Sequence, residues 1–312
     1  MISIYNSNFK SFEGLHRDSI LRYCHRPENR TFKVLNMNTN IVSYFSPIIS
    51  NLSELISASP SKLFQLKLHF DGKHPDEKQE IKDNLNYKGL YDIFLKKDSL
   101  LRDNLNNLYN SDVLSKLIDV TTCPYCNENT TYAFWHKKLN QTRRTFDWDH
   151  VIPVDKYPFL AISFYNLIPA CKVCNFLKSE EDIHLNPHAR FNPDNNYTFQ
   201  VSGTSIKFIS DSKNIDILLK LKRGAASNAI KEVIDIIALD TRLDSQKEML
   251  MDILNKKRVY QSIYWESIEK LISTNENIDK LKIKKLFFST YFNPDDYFRK
   301  PFSKITHDIL VL

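Results

Sequence analysis

Apolar residues recur at helical spacing through most of the first third of the chain and again through the last. Leu101, Leu105, Leu108 and Tyr109 repeat with a three-to-four residue period, as do Ile81 and Leu85, so residues 1–118 read as a mainly helical region. The segment Asp71-Gly72-Lys73-His74-Pro75 breaks it into two helical groups. Residues 211–312 return to helices, with Leu250, Ile253 and Leu254, then Tyr260, Tyr264, Ile268, Leu271 and Ile272, on apolar faces; Pro294 and Pro301 punctuate the tail.

Between them, residues 119–210 follow a different pattern. From Arg144 to Val154 aromatic and β-branched residues alternate with polar ones, which places Thr145, Asp147 and Asp149 on one strand face and Phe146 and Trp148 on the other, with Pro153 ending the pairing. Asn175 to about Ile183 reads as a short helix. Tyr197–Val201 and Ser205–Ile209 read as a hairpin around Gly203. The expected architecture is α+β and mostly α: a small central core flanked by two helical regions.

Two Cys-x-x-Cys knuckles, Cys123/Cys126 and Cys171/Cys174, lie in that central part, with 44 residues between Cys126 and Cys171. Each puts two sulfurs on one side of a tight turn, and two such turns complete a tetrahedral thiolate cage, the preferred setting of structural zinc. Buried reduced cysteines are the competing reading. Cys24 has no such pairing and reads as a small hydrophobe. Thiolates arranged for zinc favour a reducing compartment, and the start of the chain lacks the basic-then-apolar pattern of a secretion signal, so the expected location is the cytoplasm. No apolar run is long enough to cross a bilayer.

Asp149-His150 followed by Pro153, then Asn166-Leu167, then Cys171-x-x-Cys174-Asn175 and Lys178 resemble the three-part signature of HNH endonucleases, whose core is the ββα-metal fold. The resemblance covers about residues 120–200. Tyr157-Pro158, Phe159-Leu160, the Cys-x-x-Cys-Asn ending and Asn186-Pro187 narrow it to the HNH nucleases that accompany an ATPase in antiphage systems, the PtuB-like nucleases of Septu and their retron relatives. It implies His150 as general base, Asp149 and Asn175 as oxygen ligands of a catalytic Mg²⁺ or Mn²⁺, and Asn166 as the group that orients the histidine. Asn175 stands where the family name would have histidine, an HNN variant, and an oxygen-only ligand set suits hard cations. Lys178, one turn further on, is a candidate phosphate contact or a solvated lysine. Asp147, His184 and His188 are weaker candidates near the site. The remaining histidines read as surface or core residues.

The resemblance also implies partners: an ATPase of the same defence operon, a retron reverse transcriptase complex in related loci, and a nucleic acid substrate, DNA by default and RNA such as tRNA as the alternative. The net charge of +6 agrees with a polyanionic partner, although residues 121–190 carry eight basic against seven acidic side chains. Basic runs occur at Lys137-Lys138 with Arg143-Arg144, at Lys256-Lys257-Arg258, and at Lys280, Lys282, Lys284 and Lys285; any of them also reads as a solvated face. Two non-enzymatic readings stay open, a zinc-ribbon nucleic-acid-binding module and a scaffold that positions helical arms.

Overall fold

The structure, a computed structural model, describes residues 1–29, 31–203, 215–259, 266–268, 270 and 280–311. It is α+β and mostly helical, with three two-stranded antiparallel sheets among the described residues. The chain divides into two compact units, one of residues 5–120 and 131–189, the other of residues 1–4, 121–130 and 190–312.

The first unit begins with seven helices: α1 Phe9–Cys24, α2 Val34–Phe45, α3 Leu52–Ile56, α4 Pro60–Asp71, α5 Pro75–Asn84, α6 Lys88–Leu95 and α7 Ser111–Ile118. Their starts are written in the sequence. Pro60 opens α4 behind Ser59, whose hydroxyl accepts from Lys62 N, and Asn110 Oδ1 accepts from the first free amides of α7, Asp112 N and Val113 N. The break expected at 71–75 falls where α4 ends and α5 begins.

The periodicity of Leu101, Leu105, Leu108 and Tyr109 does not form a helix. Leu101 and Tyr109 are buried, but Leu105 is 84% exposed and Arg102 bridges Leu108 across a turn. The Asp103 carboxylate makes that turn by accepting from Leu105 N, Asn107 N and Asn107 Nδ2. A side chain that satisfies local amides this well competes successfully with helix hydrogen bonding.

Four strands follow in this unit: β1 Ala133–His136 pairs with β2 Gln141–Arg144, and β3 Phe146–His150 pairs with β4 Leu167–Cys171, with His150 opposite Leu167. Helix α8, Lys172–Lys178, packs on both β3 and β4 and completes a ββα arrangement. It starts three residues earlier than the sequence suggests, because Cys171 caps it, and Ser179 at φ 43° stops it at Lys178. The strand alternation holds for Phe146, Asp147 and Trp148 and then fails, since Asp149 and His150 are both buried.

Two core histidines in this unit are neutral. His16 Nε2 donates to Ile162 O at 2.9 Å, so its Nδ1 accepts from the Tyr109 hydroxyl at 2.9 Å. His188 Nε2 donates to Leu167 O at 3.0 Å among the rings of Phe9, Phe164 and Tyr165. Burial pushes both down to about 4.

In the second unit β5 Tyr197–Gly203 pairs with β6 Ile215–Leu221, followed by α9 Ser227–Ile236, α10 Leu239–Asp244, α11 Lys247–Val259, α12 Lys280–Phe288 and α13 Ser303–Val311. The expected strand at 205–209 and the apolar positions Tyr260, Tyr264, Leu271 and Ile272 lie outside the described residues. Asn127, left-handed at φ 54°, organises the unit. Its Nδ2 donates to Tyr297 O and Lys300 O, while its Oδ1 accepts from Lys304 N and its backbone O from Phe302 N. No helix among the described residues is long and apolar enough to cross a membrane.

The two histidines set a pH dependence. In the unfolded chain they take up protons below about pH 6.5, whereas in the fold they stay neutral to about 4. Stability is therefore full above pH 6.5 and falls as pH drops through the window from 6.5 to 4, by roughly 3 kcal/mol per histidine at completion. Urea unfolding followed by tryptophan fluorescence, with zinc content checked at each pH, is expected to give a clearly lower midpoint at pH 5 than at pH 7.5. An unchanged midpoint contradicts the neutral-core assignment.

Candidate functional site

The four knuckle cysteines are buried and form no disulfide, and their sulfurs all lie within 4.8 Å of one another. Backbone geometry favours the thiolate form at two of them. Glu128 N points at Cys126 Sγ at 3.3 Å and Cys174 N at Cys171 Sγ at 3.5 Å, so amide dipoles face the sulfurs. The first knuckle is closed by Asn127 N donating to Cys123 O at 2.8 Å. Four sulfurs gathered this closely form the donor set that zinc prefers. The group is compatible with structural zinc.

A separate cleft of about 330 Å³ opens beside the ββα arrangement, lined by Asp149, His150, Asp155, Asn175, Phe176 and Glu180 among others. Three of the residues singled out in the sequence, Asp149, His150 and Asn175, therefore face one cavity, the first two from β3 and the third from α8. Asp155 and Glu180 join them. Neither carried a motif signal, although Asp155 follows Pro153 by only two positions. Two of these carboxylates are paired, Asp149 with Lys178 and Asp155 with Lys88, and oxygen donors suit a hard divalent ion.

His150 is held from two sides. Its Nε2 lies 3.0 Å from Ala161 O; a carbonyl only accepts, so the proton sits on Nε2 and Nδ1 is the basic nitrogen. The Tyr91 ring packs edge-on against the imidazole at 4.6 Å, and the Tyr91 hydroxyl donates to Trp148 O at 3.1 Å. Burial, opposed by the Ala161 hydrogen bond and aided by the Lys178 charge, pushes His150 down to about 4. The imidazole is neutral at neutral pH, the state a proton acceptor needs.

Asn166 is fully buried and makes its side-chain hydrogen bonds to the backbone, not to the imidazole. Its Oδ1 accepts from Ile152 N at 2.8 Å, and its Nδ2 donates to Ile152 O and Leu160 O, both at 3.1 Å. Its backbone O accepts from Val151 N at 3.0 Å. It clamps the ends of the 152–160 loop. The histidine orientation expected of this residue is supplied instead by Ala161 O, which that loop carries into place.

Lys178 is placed differently from a phosphate contact. It is 1% exposed, and its ammonium donates to His150 O at 2.7 Å and to Asp149 Oδ1 at 3.3 Å. The ammonium points inward because the last turn of α8 lies over β3, and it acts on the cleft through Asp149. His184 is exposed, His188 is enclosed by aromatic rings, Asp147 is exposed, and none of the three lines the cleft. Tyr91, distant in sequence from His150 and without a motif, is the contact that sequence reasoning had no means to find.

The site thus defines an α+β protein with a compact four-cysteine centre and a carboxylate-lined cleft holding a neutral histidine. Over 59 residues the chain is 30% identical to the Septu protein PtuB of Bacillus thuringiensis, a stretch that makes up 19% of this chain and 23% of that protein. No protein-family model and no solved structure matches the chain.

Two outcomes test the geometry. The purified chain is expected to carry one zinc, lost in Cys171→Ser, by elemental analysis. Asn166→Ala removes the side-chain partner of Ile152 N and Ile152 O, while Leu160 O keeps Ser163 N, and is expected to cost about 2–4 kcal/mol in urea unfolding while zinc is retained; a cost under about 1 kcal/mol contradicts the clamp.

Proposed function

We propose that the chain is a metal-dependent endonuclease that hydrolyses nucleic-acid phosphodiester bonds. The observation that carries the reading is the His150 tautomer: with Nε2 committed to Ala161 O, the basic Nδ1 belongs to a residue that lines the same cleft as Asp149 and Asn175. In this mechanism His150 accepts the proton of the attacking water at Nδ1, and Ala161 O stabilises the imidazolium through Nε2–H. Asp149 and Asn175 would hold Mg²⁺ or Mn²⁺, with Lys178 keeping Asp149 in position. The bound cation supplies charge neutralisation for the phosphate and the leaving oxygen. Phe176, 81% exposed at the rim, offers a flat face for an unpaired base. Zinc in the four-cysteine centre is structural and has no open position.

The partial likeness to a Septu protein supports a defence role, in which the nuclease is the toxic effector and an ATPase of the same operon, or a retron complex, is its partner. DNA is the default substrate and RNA the alternative; the cleft lining favours neither. The non-catalytic reading, a zinc-bearing nucleic-acid-binding or scaffold protein, predicts binding without cleavage.

The test is cleavage of plasmid DNA and total cellular RNA by the zinc-loaded chain with Mg²⁺, Mn²⁺ or EDTA. Cation-dependent cutting is expected, with a loss of at least about 100-fold in His150→Ala. No cutting of either polymer, also with the partner ATPase present, overturns the reading.

A further inference from the structure

A second recess, of about 230 Å³, lies on the same strand and helix that build the cleft. Phe146 and Asp147 of β3 and Lys172 of α8 line the recess, whereas Trp148, Asp149 and His150 of β3 and Asn175 of α8 line the cleft. Asp147 and Asp149 are two strand residues apart, about 7 Å. Lys172 and Asn175 are three helix residues apart, about 4.5 Å along the axis. The two cavities are neighbours along one track.

Their charges are opposite. The recess is lined by Lys97, Arg143, Arg144 and Lys172 against Asp112 and Asp147. Arg144 is committed internally, to Asp112 at 3.6 Å and the Ser111 hydroxyl at 2.6 Å. Lys97, Arg143 and Lys172 are exposed and make no ion pair among the described residues. They come from three separate elements, the segment after α6, strand β2 and the start of α8. Three uncommitted cations from distant parts of the sequence facing one polar hollow form an anion-binding arrangement, not the solvated face of a single helix.

We propose that this recess holds a backbone phosphate of a nucleic-acid strand whose scissile phosphate lies in the cleft. The inference rests on the nuclease reading for the position of the scissile group, but the recess itself requires only a polyanionic strand. The residues of β3 that face the two hollows lie about 7 Å apart, so the recess takes a phosphate close along the strand to the scissile one. The contact is to phosphate and reads no sequence; it sets the register of the strand and supplies attraction that the carboxylate-lined cleft does not.

The test uses the full zinc-loaded chain in a His150→Ala background, so that bound oligonucleotide stays intact, with fluorescence anisotropy of short labelled single-stranded DNA and RNA. Lys97→Ala, Arg143→Ala and Lys172→Ala together are expected to weaken binding at least about tenfold at 50 mM salt. They should also lower the slope of log affinity against log salt by roughly 0.7, the share of one lost phosphate contact on a single strand. The control removes equal charge elsewhere, by Lys33→Ala, Lys78→Ala and Lys82→Ala, and is expected to stay within about twofold. Zinc content and melting temperature confirm that both triple variants fold.

Equal effects of the two triples, no effect of the first, or no binding by the parent overturn the proposal. So does a polyglutamate peptide that binds as tightly as the oligonucleotides, which would assign the recess to a protein. The failures are separable. Loss of binding in the first triple together with no cleavage by the His150 chain sinks the nuclease reading and leaves the recess; cleavage with unchanged binding does the reverse.

Discussion

One buried ammonium holds the cleft together. Lys178, at the last turn of α8, reaches beneath β3 and divides its hydrogen bonds between the His150 carbonyl and the Asp149 carboxylate. An ionised group so enclosed costs several kcal/mol unless it is paired and hydrogen-bonded, so helix and strand are locked in the one register that satisfies it. Removing Asp149 leaves the Lys178 ammonium buried with the His150 carbonyl but without its carboxylate. The same contact fixes the backbone at His150 and the carboxylate beside it, both of which line the cleft.

The rest of the site is built outward from that register. With β3 fixed, Asn166 at the edge of β4 gathers both ends of the 152–160 loop through its side-chain amide. The loop delivers Ala161 O to the imidazole, and the carbonyl decides which nitrogen carries the proton. Tyr91 closes the remaining side. The histidine is therefore placed by a chain of buried polar groups rather than by one neighbour, an arrangement in which each member depends on the others being satisfied.

The helical character of the ends, the paired knuckles and the residues that converge on the cleft were legible in the sequence, because each rests on short spacing: Cys-x-x-Cys, Asp149-His150, and Asn175 directly after Cys174. What was not legible depended on tertiary partners or on local side-chain competition. Leu101 to Tyr109 carries helical periodicity, yet Asp103 captures the amides a helix would need. Lys178 sits where a helix could present it to solvent, and only the packing of α8 on β3 shows that it turns inward. The orienting role expected of Asn166 belongs to a loop carbonyl, which has no sequence signature. The contact of Tyr91 with His150 joins segments far apart in the chain, and no periodic pattern encodes that.

The central claim is that Asp149 and Asn175 mark a hard-cation site distinct from the four-cysteine centre. The most direct measurement is anomalous scattering from crystals of the zinc-loaded chain soaked in Mn²⁺, collected at the absorption edges of both metals. The account predicts a zinc peak among the four sulfurs and a manganese peak in the cleft within coordination distance, roughly 2.0–2.4 Å, of Asp149 and Asn175 oxygens. Manganese bound only elsewhere, or no manganese with the cleft open to solvent in the crystal, would contradict it.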